Sequence, residues 1–156
     1  MRAVVKAGVV ALVAMLAVGP VSSAMADDAD VQTQAAKQPV TVSVPVRTID
    51  TPGRTGQSGI LEMRLGRGAP FAVMLDTGSV GLRLWGGRPA SAAMTSTRVT
   101  TMLDGARVPG LLGTSPMSIG GVTTTLDVPF QLISTDSAYI QQWKSRGVVG
   151  ILGIGV

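Results

Sequence analysis

The chain of 156 residues has room for one modest domain with appendages. Its composition, 46% hydrophobic with 20 glycines but only 3% aromatic, suits a Val/Leu/Gly-rich β domain with a light core and excludes a disordered chain. The net charge of +4 counts Arg2 and Lys6; beyond residue 26 eleven basic residues face nine acidic ones, scattered and without aromatic interleaving, which excludes a nucleic-acid surface.

Met1-Arg2-Ala3-Val4-Val5-Lys6 is a short basic region, and Ala7 through Val18 is uninterrupted apolar sequence. Gly19-Pro20 breaks it, and Ala24-Met25-Ala26 supplies a small-x-small site before Asp27-Asp28. Residues 1–26 therefore read as a secretory signal peptide cleaved after Ala26, which predicts a secreted or extracytoplasmic protein that meets the membrane only during export. An uncleaved anchor is the alternative, but a dozen apolar residues fall short of the roughly 20 that span a bilayer.

Residues 27–57 read as a mature N-terminal segment with one strand. Its first part, to about Pro39, is polar and aperiodic, as flexible termini are. Val40, Val42, Val44 and Val46 then alternate with Thr41, Ser43, Pro45 and Arg47, a strand with one buried face that Pro45 assigns to an edge. Asp50-Thr51-Pro52-Gly53 through Ser58 is a loop by its Pro, Gly and Ser content. From Ser58 onward a lobe of short strands is predicted.

The most informative stretch of that lobe is Phe71-Ala72-Val73-Met74-Leu75-Asp76-Thr77-Gly78-Ser79. Five apolar residues bounded by turn chemistry predict a strand buried on both faces, and a buried strand that ends in an ionisable acid needs a reason. Thr77, Gly78 and Ser79 supply one: small residues bring backbone N–H groups close to the carboxylate, and two hydroxyls can bond it or tie down its loop. The chain lacks His, Cys and Asn altogether. That absence removes Ser-His-Asp and Cys-His catalysis, His or Cys metal sites and N-glycosylation, and leaves carboxylate chemistry at Asp76 with no metal or cofactor expected.

Beyond the aspartate, Val80 to Trp85 predicts a returning strand and Gly86 to Met94 an irregular loop. Arg98 to Leu103 begins a hairpin whose tip is Asp104-Gly105, a strong turn pair. Met117 to Ile119, Val122 to Val128 and Phe130 to Ile133 read as strands, the first two joined at Gly120-Gly121. Ser134 or Thr135 is expected to cap a short helix through Tyr139 to Lys144, with Ile140 and Trp143 spaced to bury one side. Gly150-Ile151-Leu152-Gly153-Ile154-Gly155 closes the chain's pattern.

Residues 71–79 resemble the active-site motif of the pepsin-like aspartic proteases, whose lobes each carry hydrophobic-hydrophobic-Asp-Thr-Gly-Ser/Thr. The resemblance covers Ser58 to Val156. Gly59 to Gly66 with Pro70-Phe71 is similar to the first hairpin of a lobe, Gly110-Leu111-Leu112-Gly113 and Ile119-Gly120-Gly121-Val122 to the strands after the substrate-covering flap, and Gly150 to Gly155 to the segment passing beneath the aspartate loop. It implies an all-β lobe of twisted antiparallel strands with a flap hairpin, matching one N-terminal lobe of the two that family members carry.

The same resemblance makes Asp76 the catalytic residue, supported by Thr77, Gly78 and Ser79, and makes Leu103, Asp104 and Gly105 the flap tip. The chain departs from the family at several positions. Leu103 stands where the flap tyrosine belongs, Arg83 where a Trp belongs with Trp85 two residues later, and Val149 where an Asp often precedes Gly-Ile-Leu-Gly. The implied function is aspartic-type endopeptidase action on an extended peptide or protein substrate. Such chemistry takes two carboxylates that share a proton, one activating water and one polarising the carbonyl. Only one Asp-Thr-Gly occurs here. A second lobe or a homodimer partner must supply the other, and the chain alone is expected to be inactive. Such a lone lobe is also expected to leave apolar strand edges open for its neighbour, the end from Gly150 to Val156 among them. The alternative is a non-catalytic secreted binding or cell-surface domain that keeps the fold.

Overall fold

The computed structural model describes residues 8–12 and 41–155. The basic start of the predicted leader, its Gly19-Pro20 break, its cleavage site and the polar segment to Pro39 lie outside the described residues. Eleven strands and one short helix follow in order: β1 Gly8–Leu12, β2 Val42–Asp50, β3 Gln57–Leu65, β4 Phe71–Asp76, β5 Val80–Leu84, β6 Ala93–Leu103, β7 Ala106–Ser115, β8 Met117–Ile119, β9 Val122–Thr123, β10 Val128–Ile133, α1 Ala138–Lys144 and β11 Val148–Ile154. The all-β class expected from the composition is what forms. No helix among the described residues is long and apolar enough to cross a membrane.

The strands make one sheet in the order β1-β2-β3-β4-β11-β5-β10-β7-β6, with β8 on β3 and β9 on β8. It is mixed, which corrects the purely antiparallel expectation: β11 runs parallel to β4, and β10 parallel to β5. The cause is an insertion. β4 and β5 are joined by the three-residue loop Thr77 to Ser79 but do not pair with each other; β11 lies between them, parallel to one and antiparallel to the other. The closing strand is therefore interior and bonded on both sides, not the open edge expected for Gly150 to Val156.

Alternation along the central strands feeds two apolar clusters, one on each face. Leu61, Val73 and Leu152 enter the first with Val44, Val46, Met63, Leu82, Leu84 and Phe130; their neighbours Ile60, Met74 and Ile151 enter the second with Trp85, Leu103, Val108, Ile140 and Trp143. This is the both-faces burial predicted for β4. In β2, Val44 and Val46 are buried while Ser43 and Pro45 are exposed. Pro45, which cannot donate to a ladder, lies in the half of β2 that pairs with β1 and has left β3, whose pairing with β2 covers only Arg47 to Asp50.

Several boundaries differ from expectation: β3 begins at Gln57, inside the loop expected to run to Ser58, and β10 begins at Val128 instead of Phe130. β6 begins at Ala93 instead of Arg98, because an irregularity in its pairing with β7 between Met94 and Arg98 interrupts the alternation that marks a strand. The stretch Val122 to Val128 is not one strand. Thr124 Oγ1 accepts from Met117 N at 3.0 Å and donates to Leu126 O at 2.8 Å, folding the chain into a turn after β9. The helix cap is Ser137, neither Ser134 nor Thr135: its backbone is extended and its Oγ accepts from Ile140 N at 3.3 Å. Ile140 and Trp143 are wholly buried, as their spacing predicted. Trp143 Nε1 makes no hydrogen bond of ordinary geometry among the described residues.

Candidate functional site

Asp76 ends β4 half-buried, at the rim of the second apolar cluster. Its Oδ1 accepts the backbone N–H of Gly78 at 2.9 Å, an Asx-type turn that holds the carboxylate over its own loop. Gly78 is suited to that position, since even a Cβ there would stand only 3.3 Å from Oδ1. Neither the Thr77 nor the Ser79 hydroxyl bonds the carboxylate. Ser79 Oγ instead accepts from Arg83 Nη1 at 3.2 Å, so it ties the loop to β5.

Beneath this loop runs β11, and its glycines are there for space. A Cβ on Gly153 would meet Ser79 O at 2.5 Å, and one on Gly155 would meet Thr77 O at 2.7 Å. With no side chain in the way, Gly155 N donates to Ser79 O at 2.8 Å and Gly153 sits in register with Asp76 on one side and Gly81 on the other. Trp85 locks the same seam from the side: its backbone N donates to Val149 O and its Nε1 to Val148 O, both at 2.9 Å. Displaced from the position the family resemblance assigns to a Trp, it has become a buried anchor for β11.

Across the opening, β6 and β7 form the hairpin whose tip is Asp104-Gly105. Both residues have positive φ, 49° and 76°, the two-residue turn that matches strand twist. Leu103, just before the tip and paired with Ala106, is buried in the second cluster together with Val108. Asp104 itself is paired with Arg54, which rises from the loop between β2 and β3. The hairpin tip is thus strapped to the opposite wall.

Between these parts lies an open cleft of about 750 Å³. All seven residues singled out from sequence line it: Asp76, Thr77, Gly78 and Ser79 from the loop, and Leu103, Asp104 and Gly105 from the hairpin. So do Arg83 and Tyr139, which sequence reasoning did not place in any site. Burial raises the Tyr139 phenol above its ordinary value; the adjacent Trp143 side chain and the Arg54 charge oppose this, while the charges of Asp104 and Asp76 push the same way as burial. Its ring packs edge-on against Trp143, centroids 6.2 Å apart. Tyr139 is the chain's one tyrosine, and α1 brings its phenol to this cleft.

No three metal-ligating side chains come together among the described residues. No protein-family model matches the chain, and no curated protein matches it. What the arrangement offers chemically is one held carboxylate, a phenol, a guanidinium and a hairpin tip around one open cleft.

Proposed function

We propose that this chain is a pepsin-like lobe of an aspartic-type endopeptidase, in which Asp76 is one of two carboxylates that activate water against a peptide bond. The observation that carries the reading is spatial. The Asp-Thr-Gly-Ser loop and the Asp104-Gly105 hairpin face one cleft, with the Gly153 and Gly155 backbone threaded beneath the loop. That residues far apart in sequence line one cleft supports the resemblance of residues 58–156. Thr77, Gly78 and Ser79 shape the loop, and the hairpin covers the substrate.

The second carboxylate comes from another lobe or a second copy. Among the described residues Asp104 is the other acid lining the cleft, and it is engaged by Arg54. Val80 and Met102 leave 66% and 57% of their surface exposed close to the cleft, an apolar rim on which a partner can seat. A dyad sharing a proton works best in acid, so cleavage of peptides should peak at acid pH and its rate per chain should rise with protein concentration as dimers form. Asp76→Asn should abolish turnover and leave the Tm within a degree or two, because the amide keeps the shape and still accepts from Gly78 N–H. An Asp76→Asn protein as active as wild type ends this reading. Export is proposed with it: N-terminal sequencing of protein recovered outside the cytoplasm should begin at Asp27, whereas Met1 retained in the membrane fraction would mean an anchor.

The engagement of Asp104 favours a second reading, a secreted binding domain that keeps the fold without the reaction. Peptide binding with no cleavage at any concentration or pH separates it from the first.

A further inference from the structure

We infer that Arg83 is the specificity-determining residue of the cleft and selects a substrate carboxylate close to the bond that Asp76 addresses. The inference deepens the proposed endopeptidase reading and rests on it for the word substrate.

Alternation along β5 puts Leu82 and Leu84 into the core and turns Arg83 to the other face, half-buried and lining the cleft. The side chain is held by a relay. Arg83 Nε donates to Thr101 Oγ1 at 3.3 Å, Thr101 Oγ1 donates to Gln131 Oε1 at 2.6 Å, and Gln131 Nε2 donates to Val108 O at 3.0 Å and Val99 O at 3.3 Å. Gln131 is 4% exposed, so the chain of bonds starts from a buried amide that cannot swing. At its other end Arg83 Nη1 holds Ser79 Oγ, three residues past Asp76. The guanidinium is therefore fixed in orientation between the aspartate loop and the hairpin strand β6.

Every group it bonds is a neutral hydroxyl. The ion pairs among the described residues are Arg54 with Asp104 and Lys144 with Asp136, so no carboxylate of the described residues comes within 4 Å of Arg83. A guanidinium has five donors in a planar fork, and this one spends two of them. A half-buried, oriented cation with unused donors and no counterion is under-compensated, and a carboxylate is the planar acceptor that matches the fork. Arg54 already neutralises Asp104, which leaves Arg83 as the cation in the cleft open to an incoming acid.

The test uses the full chain and dye-labelled, C-terminally amidated peptides that differ only by Glu or Gln at one position. A parallel free-acid series shows whether a terminal carboxylate serves as well as a side chain. Fluorescence polarisation with the Asp76→Asn protein reads binding without turnover, and wild type reads kcat and KM. Glu peptides should bind at least about tenfold tighter than Gln peptides, the advantage appearing in KM and not in kcat. Arg83→Met should erase it, Arg83→Lys should keep part of it, and Arg83→Glu should favour Lys peptides. Circular dichroism and Tm identify variants that fail to fold, and Arg83→Lys, which keeps the charge, carries the test if Arg83→Met does not fold. Equal binding of Glu and Gln peptides by wild type, or a preference that survives in folded Arg83→Met, overturns the inference. Arg83-dependent binding of acidic peptides with no cleavage supports it and instead defeats the endopeptidase reading; cleavage without charge preference does the reverse.

Discussion

The two arms that meet over the cleft are held in opposite ways. The aspartate loop is clamped through the backbone: β11 fills the gap between β4 and β5, Gly155 N bonds Ser79 O, and no side chain intervenes. Beyond the buried Leu103, the hairpin tip is held by one largely exposed pair, Arg54 with Asp104, at the outer end of the edge strand β6. Local opening follows the contacts that must be broken, so the loop moves only with the sheet while the tip can lift alone.

The largest effect that can break this contrast is at Gly153. Gly153→Ala puts a Cβ into Ser79 O, C and Oγ at 2.5, 2.6 and 2.7 Å, and two of those atoms are backbone. Strand or loop has to shift. The expected loss is roughly 1–3 kcal/mol, a fall in Tm of about 5–15 °C, with Asp76 displaced. At the hairpin tip the glycine is needed for a different reason: Gly105 has φ 76° and nothing within 4 Å of a built Cβ. Gly105→Asn, a residue that tolerates this conformation, should lower stability by less than about 1 kcal/mol. Equal losses at the two sites would show that the loop is no more tightly clamped than the tip.

A smaller effect sharpens the other side. Arg54 and Asp104 side chains are 65% and 35% exposed, and pairs this open contribute about 0–1 kcal/mol and weaken with salt. Arg54→Ala and Asp104→Ala should each change Tm by only a few degrees, and a double-mutant cycle should give a coupling below about 1 kcal/mol that vanishes at high salt. Hydrogen exchange should quicken at Leu103 to Ala106 and stay unchanged at Ile151 to Gly153. Faster exchange in both segments would mean that the tip and the loop open together.

The parts of the site that were legible in the sequence are those written in consecutive residues. Asp76 with its Thr-Gly-Ser, the Asp104-Gly105 turn and the glycine spacing of 150–155 each carry their geometry locally, and each lines or underlies the cleft. The pairing of β11 was not legible, because glycine at 153 shows that something approaches closely without saying that β4 and β5 part to admit a strand. Arg83 carried a partial signal: between the buried Leu82 and Leu84 it had to face the opposite side of β5. That this side is the cleft depends on Thr101 and Gln131, 18 and 48 residues on, and such a meeting has no local signature. Tyr139 stayed hidden for the same reason. Its neighbours Ile140 and Trp143 announce a buried helix face, but only the docking of α1 brings Tyr139 to the cleft.

Tyr139 also gives the finest measure of the contrast, since it feels both arms at once. Its titration is raised first by burial; the adjacent Trp143 side chain and the Arg54 charge pull it back, and the negative charges of Asp104 on the tip and Asp76 on the loop raise it again, so on balance the folded state holds the phenolic proton more tightly than the unfolded chain, whose value is near 10.0. The sign follows. Stabilisation from this group is complete below pH 10 and is lost as pH rises through the folded-state value, because the unfolded chain ionises first. Tyr139→Phe should flatten that part of the alkaline limb of stability and leave the neutral range unchanged. With one tyrosine in the chain, phenolate absorbance near 295 nm reports this residue alone. Asp104→Asn should lower the midpoint, and so should Asp76→Asn. Because the tip can lift and the loop cannot, high salt should shrink the Asp104 effect more than the Asp76 effect. A Tyr139 midpoint indifferent to both substitutions would place the phenol away from the cleft, and one equally salt-sensitive to each would put tip and loop on the same footing.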